Sequence, residues 1–121
     1  MVEELLDSNF YERIEETAEG LCIFYAIDSP YYRKLISTVS KLSSEGGFSL
    51  FMLEITLNRI IAEKLEIPQV PSAVYVRNGH IRAIFSLVQK VSVLDDEDCP
   101  ADDSAAGRML AQLCKEIQPI V

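Results

Sequence analysis

Two apolar runs constrain this chain more than any other feature: Leu21-Cys22-Ile23-Phe24-Tyr25-Ala26-Ile27 and the largely apolar Phe48-Ser49-Leu50-Phe51-Met52-Leu53-Glu54-Ile55. Each is too short for a typical helix and rich in strand formers. A strand that is apolar on both sides must be covered on both sides, so each reads as a central strand of an α/β sheet.

The segments around these runs carry a different period. Phe10, Ile14, Thr17/Ala18 and Leu21 recur at helical spacing, with Glu12, Glu15, Glu16 and Glu19 on the outer face. Asp7-Ser8 offers an N-cap for that helix and Gly20 a stop. Ser29 is a good N-cap for a second helix, and Pro30 suits its first position, where a missing N–H costs nothing. Tyr32, Leu35/Ile36, Val39 and Leu42 mark its buried face, and Gly46-Gly47 ends it. A third helix is expected from about Asn58 to Leu65, stopped by Pro68 and Pro71. Asn78-Gly79 lies between the apolar runs 73–77 and 80–88, the strongest short-range hairpin signal, because both turn positions need positive φ. A last helix is expected at about 102–117, with Asp102 and Asp103 at its start and Ala106, Met109, Leu110, Leu113, Cys114 and Ile117 inward. The expected order is (β)αβαβαββα in a single domain, residues 1–121. That order implies an α/β fold with a mixed central sheet flanked by helices on both faces.

Charge excludes several functions. The chain has 11 basic and 19 acidic residues, a net charge of −8. A sequence-independent grip on nucleic acid needs a basic surface, and so does docking to an anionic membrane. No apolar run approaches the ~20 residues that span a bilayer. Met1-Val2-Glu3-Glu4 lacks the basic-then-apolar pattern of a signal peptide, so a cytoplasmic protein is expected. Cys22, Cys99 and Cys114 are far apart and show neither metal-site nor redox spacing. No metal or other cofactor is expected.

Several local stretches resemble the thioredoxin family, over roughly residues 7–88. Phe24-Tyr25-Ala26 is similar to the Phe-Trp-Ala that ends the strand before the thioredoxin active site. Lys64-Leu65-Glu66-Ile67-Pro68-Gln69-Val70-Pro71-Ser72 resembles Lys-Tyr-Gly-Ile-x-x-Ile-Pro-Thr, whose proline is cis and borders the substrate groove. Val74-Tyr75-Val76-Arg77-Asn78-Gly79 resembles the Phe-Phe-Lys-Asn-Gly hairpin that follows. The resemblance implies a thioredoxin-like fold with a cis bond before Pro71.

The redox chemistry of that family is not carried over. Where thioredoxins have Cys-Gly-Pro-Cys, residues 28–32 read Asp-Ser-Pro-Tyr-Tyr, and the resemblance puts Ser29 and Tyr32 at the two cysteine positions. A serine hydroxyl cannot form the mixed disulfide through which exchange proceeds. The family's buried acid falls on Ile23. The expectation is therefore no dithiol reductase activity.

The candidate site follows from what remains. Ser29, Tyr31, Tyr32, Val70, Pro71 and Ser72 are expected to meet where parallel strands end, the place where such folds form crevices. Aromatic residues with polar tips anchor interfaces, and an unpaired Val70 backbone suits an extended peptide. The bland alternatives are that Tyr31 and Tyr32 fill space left by the missing Trp and cysteines, and that Ser29 is only an N-cap. A second candidate is the acidic loop 95–103, whose Asp95, Asp96, Glu97 and Asp98 are a solvated loop or a docking strip for a basic partner. It lacks the central glycine and final glutamate of a calcium loop. Cys22 and Cys114 read as packing. Cys99, among acids, is a poor thiolate. His80 reads as a surface residue. The favoured function is a non-redox protein-binding module (adaptor, assembly factor or chaperone-like) whose partner is another protein or an extended peptide. The alternatives are a single-cysteine or glutathione-linked thiol enzyme and a structural domain of a larger assembly.

Overall fold

Strand residues that alternate between two apolar layers dictate the architecture. In the computed structural model, which describes residues 2–42, 48–67, 69–88, 91–92, 100 and 104–117, the order begins β1 (Val2–Glu4), α1 (Phe10–Glu15), β2 (Glu19–Tyr25), α2 (Tyr32–Leu42) and β3 (Ser49–Glu54). It continues with α3 (Arg59–Lys64), β4 (Ser72–Arg77), β5 (His80–Ser86), β6 (Val91–Ser92) and α4 (Ala105–Glu116). One six-stranded sheet has the order β1-β3-β2-β4-β5-β6. β3 lies parallel to both β1 and β2, Leu21 pairing with Leu50 and Phe24 with Leu53, while β4 runs antiparallel to β2.

Alternate residues of β2 face opposite layers, as the strand period requires. Leu21, Ile23 and Tyr25 join Leu50, Met52, Ala73 and Tyr75 under α2 and α4, which bring Leu35, Val39, Met109 and Leu113. Cys22 and Phe24 join Phe51, Leu53, Val74 and Val76 on the other face, under Phe10 and Ile14 of α1 and Ile61 of α3. Helices thus cover both faces of a mixed sheet.

The Asn78-Gly79 turn forms the expected hairpin, with φ of 53° and 77°. Its amides donate to Ala18 O (2.7 Å) and Thr17 O (2.8 Å), so the turn docks on the segment between α1 and β2. A Cβ on Gly79 would come within 2.8 Å of Glu15 O.

Four helix boundaries differ from the sequence reading. α2 starts at Tyr32, so Ser29 is not its cap and Pro30 not its first residue; both lie in the turn before it. α1 starts at Phe10 with Asn9 at the cap position, and it ends at Glu15 instead of running to Gly20. Gly20 is not a helix stop: it belongs to β2, where a Cβ would lie 2.8 Å from Ser49 O. Asp7 does not cap α1. Its carboxylate accepts from Ile60 N (3.2 Å) and Ile61 N (3.0 Å), so it caps α3 from 53 positions away. Asn58 precedes α3 as expected but makes no side-chain cap bond there. α4 starts at Ala105 rather than near Asp102, because Ser104 Oγ accepts from Gly107 N (3.0 Å) and supplies the cap. β6 is a further strand, formed where no strand was expected. The ends read at Gly46-Gly47 and Pro68 lie outside the described residues, as do Asp102 and Asp103.

Candidate functional site

Because β1, β2 and β3 run parallel, their carboxyl ends lie together, and the loops after them face one end of the sheet. β4 starts at the same end, Ser72 pairing with Phe24. The turn after β2 and the loop before β4 therefore lie at the same end of the sheet, but they pack on opposite faces: Tyr31 and Tyr32 against the layer of Leu35 and Met52, Val70 against that of Phe24 and Leu53.

The loop after β2 carries Ser29. Ser29 Oγ accepts from Tyr31 N (3.2 Å) and Ser29 O from Tyr32 N (3.1 Å), so Ser29 nucleates the turn that leads into α2. The helix itself begins at Tyr32, two residues after Pro30. Tyr31 and Tyr32 are both half-buried and pack against the core layer of Leu35 and Met52. Tyr32 stacks on Tyr25 with centroids 5.9 Å apart and planes 17° apart. Tyr25 Oη in turn donates to Glu4 Oε1 (2.6 Å), and burial together with that bond raises its pKa. Ile23 is fully buried in the same layer. The tyrosines therefore serve as packing as well as surface.

The loop before β4 carries the Val70–Pro71 bond, which is cis. Val70 is half-buried against the layer of Phe24 and Leu53. Ser72 is fully buried and its hydroxyl donates to Gln69 O, which leaves it no surface to offer. Gln69 Nε2 donates to Ser86 Oγ (2.9 Å), and Leu87 N donates to Pro71 O (3.1 Å), fixing the loop to the strand beyond.

The loop after β3 holds what sequence reasoning missed. Glu54 is buried at the end of β3, and its carboxylate accepts from Ile27 N (2.9 Å), Thr56 N (2.7 Å), Leu57 N (3.1 Å) and the Thr56 hydroxyl. Burial pushes its pKa up, but the Thr56 hydroxyl and the three amides outweigh it, and the carboxyl titrates below its ordinary 4.5. Ile27, Asp28, Glu54, Thr56 and Leu57 line a shallow hollow of about 300 Å³. Leu57 is 83% exposed and Ile27 57%. The one available signal was a lone carboxylate closing an apolar strand. Such a group is seldom buried unless partnered.

Of the remaining candidates, His80 is exposed at the hairpin. Cys22 is buried in mid-strand, where burial and the charge of Glu4 raise its pKa, and Cys114 is half-buried on α4. Asp95, Asp96, Glu97, Asp98 and Cys99 lie outside the described residues. Among the described residues no group of three or more His, Cys, Asp or Glu could hold a metal ion, and no helix is long and apolar enough to cross a membrane.

No family model matches the chain, and no curated protein does. Solved structures do. Thioredoxin f2 of Chlamydomonas reinhardtii is 18% identical with a TM-score of 0.65, covering 71% of this chain and 83% of that one. A thioredoxin of Schistosoma mansoni is 16% identical with a TM-score of 0.64, covering 70% and 84%. A chain from work on the thiol-resolving mechanism of yeast mitochondrial 1-Cys peroxiredoxin is 17% identical with a TM-score of 0.64, covering 70% and 82%. The fold is thioredoxin-like. The sequence contains no Cys-x-x-Cys pair.

Proposed function

We propose that this chain is a non-redox thioredoxin-like binding module that takes another protein or an extended peptide at the carboxyl end of its parallel strands. One observation carries the reading. Where the resemblance puts a redox pair, the end of the sheet has a serine-capped turn, two half-buried tyrosines and the exposed Ile27 and Leu57. Exposed apolar side chains gathered beside a concavity are a signature of interaction sites. Neither Cys22, in mid-strand, nor Cys114, on α4, lies in this turn. An adaptor, assembly factor or chaperone-like role in the cytoplasm fits a module of this kind.

Affinity capture with the parent chain, Tyr31→Ala, Val70→Asp and a variant with Asp95–Asp98 replaced by Ser and Asn tests the site. The reading expects a bound protein that both single variants lose, with little salt dependence in the parent complex. Normal binding by both, with loss only in the acidic variant, overturns it in favour of the acidic loop. An insulin-reduction assay with dithiothreitol tests the chemistry, and turnover above a cysteine-free control contradicts the non-redox reading.

A further inference from the structure

The loops that follow β1, β2 and β3 are joined by side chains in a continuous series. From the first loop, the Asp7 carboxylate accepts from Ile60 N and Ile61 N, and Asp7 N donates to Asn58 Oδ1 (3.0 Å). Asn58 Nδ2 donates to Glu54 O (3.0 Å). The Glu54 carboxylate accepts from Leu57 N in its own loop and from Ile27 N in the loop after β2. Asn58 is buried, and its amide is used at both ends, an acceptor toward Asp7 and a donor toward Glu54. A flipped amide would set donor against donor, so the surroundings fix its orientation.

The same three loops and the helix starts beyond them carry the large apolar side chains that, among the described residues, stand in solvent. Leu6 is 52% exposed, Ile60 57% and Tyr11 42%, and each follows the carboxyl end of a parallel strand, as Ile27 and Leu57 do. Exposed loops ordinarily open one by one at small cost. These share buried acceptors instead. Freeing one loop leaves a buried carboxylate or amide partly unsatisfied in the next, which is the costly event.

We infer that Asp7, Asn58 and Glu54 form one positioning network that makes the loops after β1, β2 and β3 open and close as a single unit. The unit would present Leu6, Ile27, Leu57 and Ile60 as a preorganised surface, a purpose that rests on the binding function proposed above. Its cooperativity is measurable without any partner.

Amide hydrogen exchange in Asp7→Asn separates a network from independent staples. Asp7 bonds to Ile60, Ile61 and Asn58 and to nothing in the loop after β2. A network predicts that Ile27 N and Leu57 N exchange faster by about tenfold, together with Ile60 N and Ile61 N, as expected for losing one charge-assisted bond. Asn78 N and Gly79 N, bonded at the far end of the sheet, serve as controls and should not change. Acceleration confined to Ile60 and Ile61 overturns the inference, and so does equal acceleration of the controls, which would report global unfolding. Glu54→Gln, read at Ile60 N and Ile61 N, makes the same test from the other end should Asp7→Asn fail to fold. These readouts stand whatever happens in the capture experiment, so the two can fail separately.

Discussion

The two ends of the sheet are built on opposite terms. At the amino end of the parallel strands the chain is closed by backbone. The hairpin turn bonds through two amides to the segment between α1 and β2, and Gly20 lies against the Ser49 carbonyl. Arg13 bridges Glu3 (2.6 Å) and Glu16 (2.9 Å) beside a groove of about 530 Å³, so its charge is already answered. At the carboxyl end side chains, Asp7, Asn58 and Glu54, join the loops in addition to backbone bonds such as Leu87 N to Pro71 O and Ile55 N to Tyr25 O, and the apolar residues face outward. Backbone contacts that need glycine leave no room for change. Side-chain acceptors hold loops in place while leaving the residues on them free to vary. An end organised in the second way is the better place for a binding surface.

The sharpest way to break this contrast is Gly79→Val. A β-branched residue at φ 77°, with its Cβ 2.8 Å from Glu15 O, combines backbone strain with a clash. We expect a loss of about 3 kcal/mol in denaturant unfolding. A loss under about 1 kcal/mol would mean that the amino end is not rigid.

Glu54→Gln comes next, at about 2 kcal/mol, because it removes a charged acceptor from several donors at once. Its pH dependence sharpens the point. The folded pKa of Glu54 is depressed, so its contribution is complete above the ordinary 4.5 and is lost as pH falls through the lower folded value. The stability gap between parent and Glu54→Gln should therefore be widest near neutral pH and close below that window. A gap that does not change with pH would show that the carboxylate charge is not what holds the loops.

The smallest expected effect is that of Leu57→Asp. The side chain is 83% exposed, so stability should change by no more than about 0.5 kcal/mol while partner capture is lost. A large loss of stability would place Leu57 in the fold rather than on a binding surface.

Legibility in the sequence followed the range of the interaction. The Asn78-Gly79 turn was readable because its demand for positive φ is met within the two residues themselves. The strands 21–27 and 48–55 were readable because burial on both faces writes itself as an unbroken apolar run. Ser29 was readable as a turn former because its partner is two residues away, but it does not cap α2, which starts at Tyr32 and not at Pro30. Asp7 and Gly20 were misread for the opposite reason. Both look like helix punctuation, but the first serves a helix 53 positions on and the second makes room for a neighbouring strand. Glu54 gave almost no signal, since its partners lie in two separate loops and include a backbone amide 27 positions away.

The position of Asp7 also bears on synthesis. Growing at ~5–20 residues per second, a nascent chain releases Asp7 some seconds before the amides of Ile60 and Ile61, 53 and 54 positions later, have been made. During that interval the nearest helix start is that of α1, for which Asp7-Ser8 has the right local pattern. α3, only six residues long, is too short to be stable alone, so it gains this cap only once the amino-terminal loop packs against it.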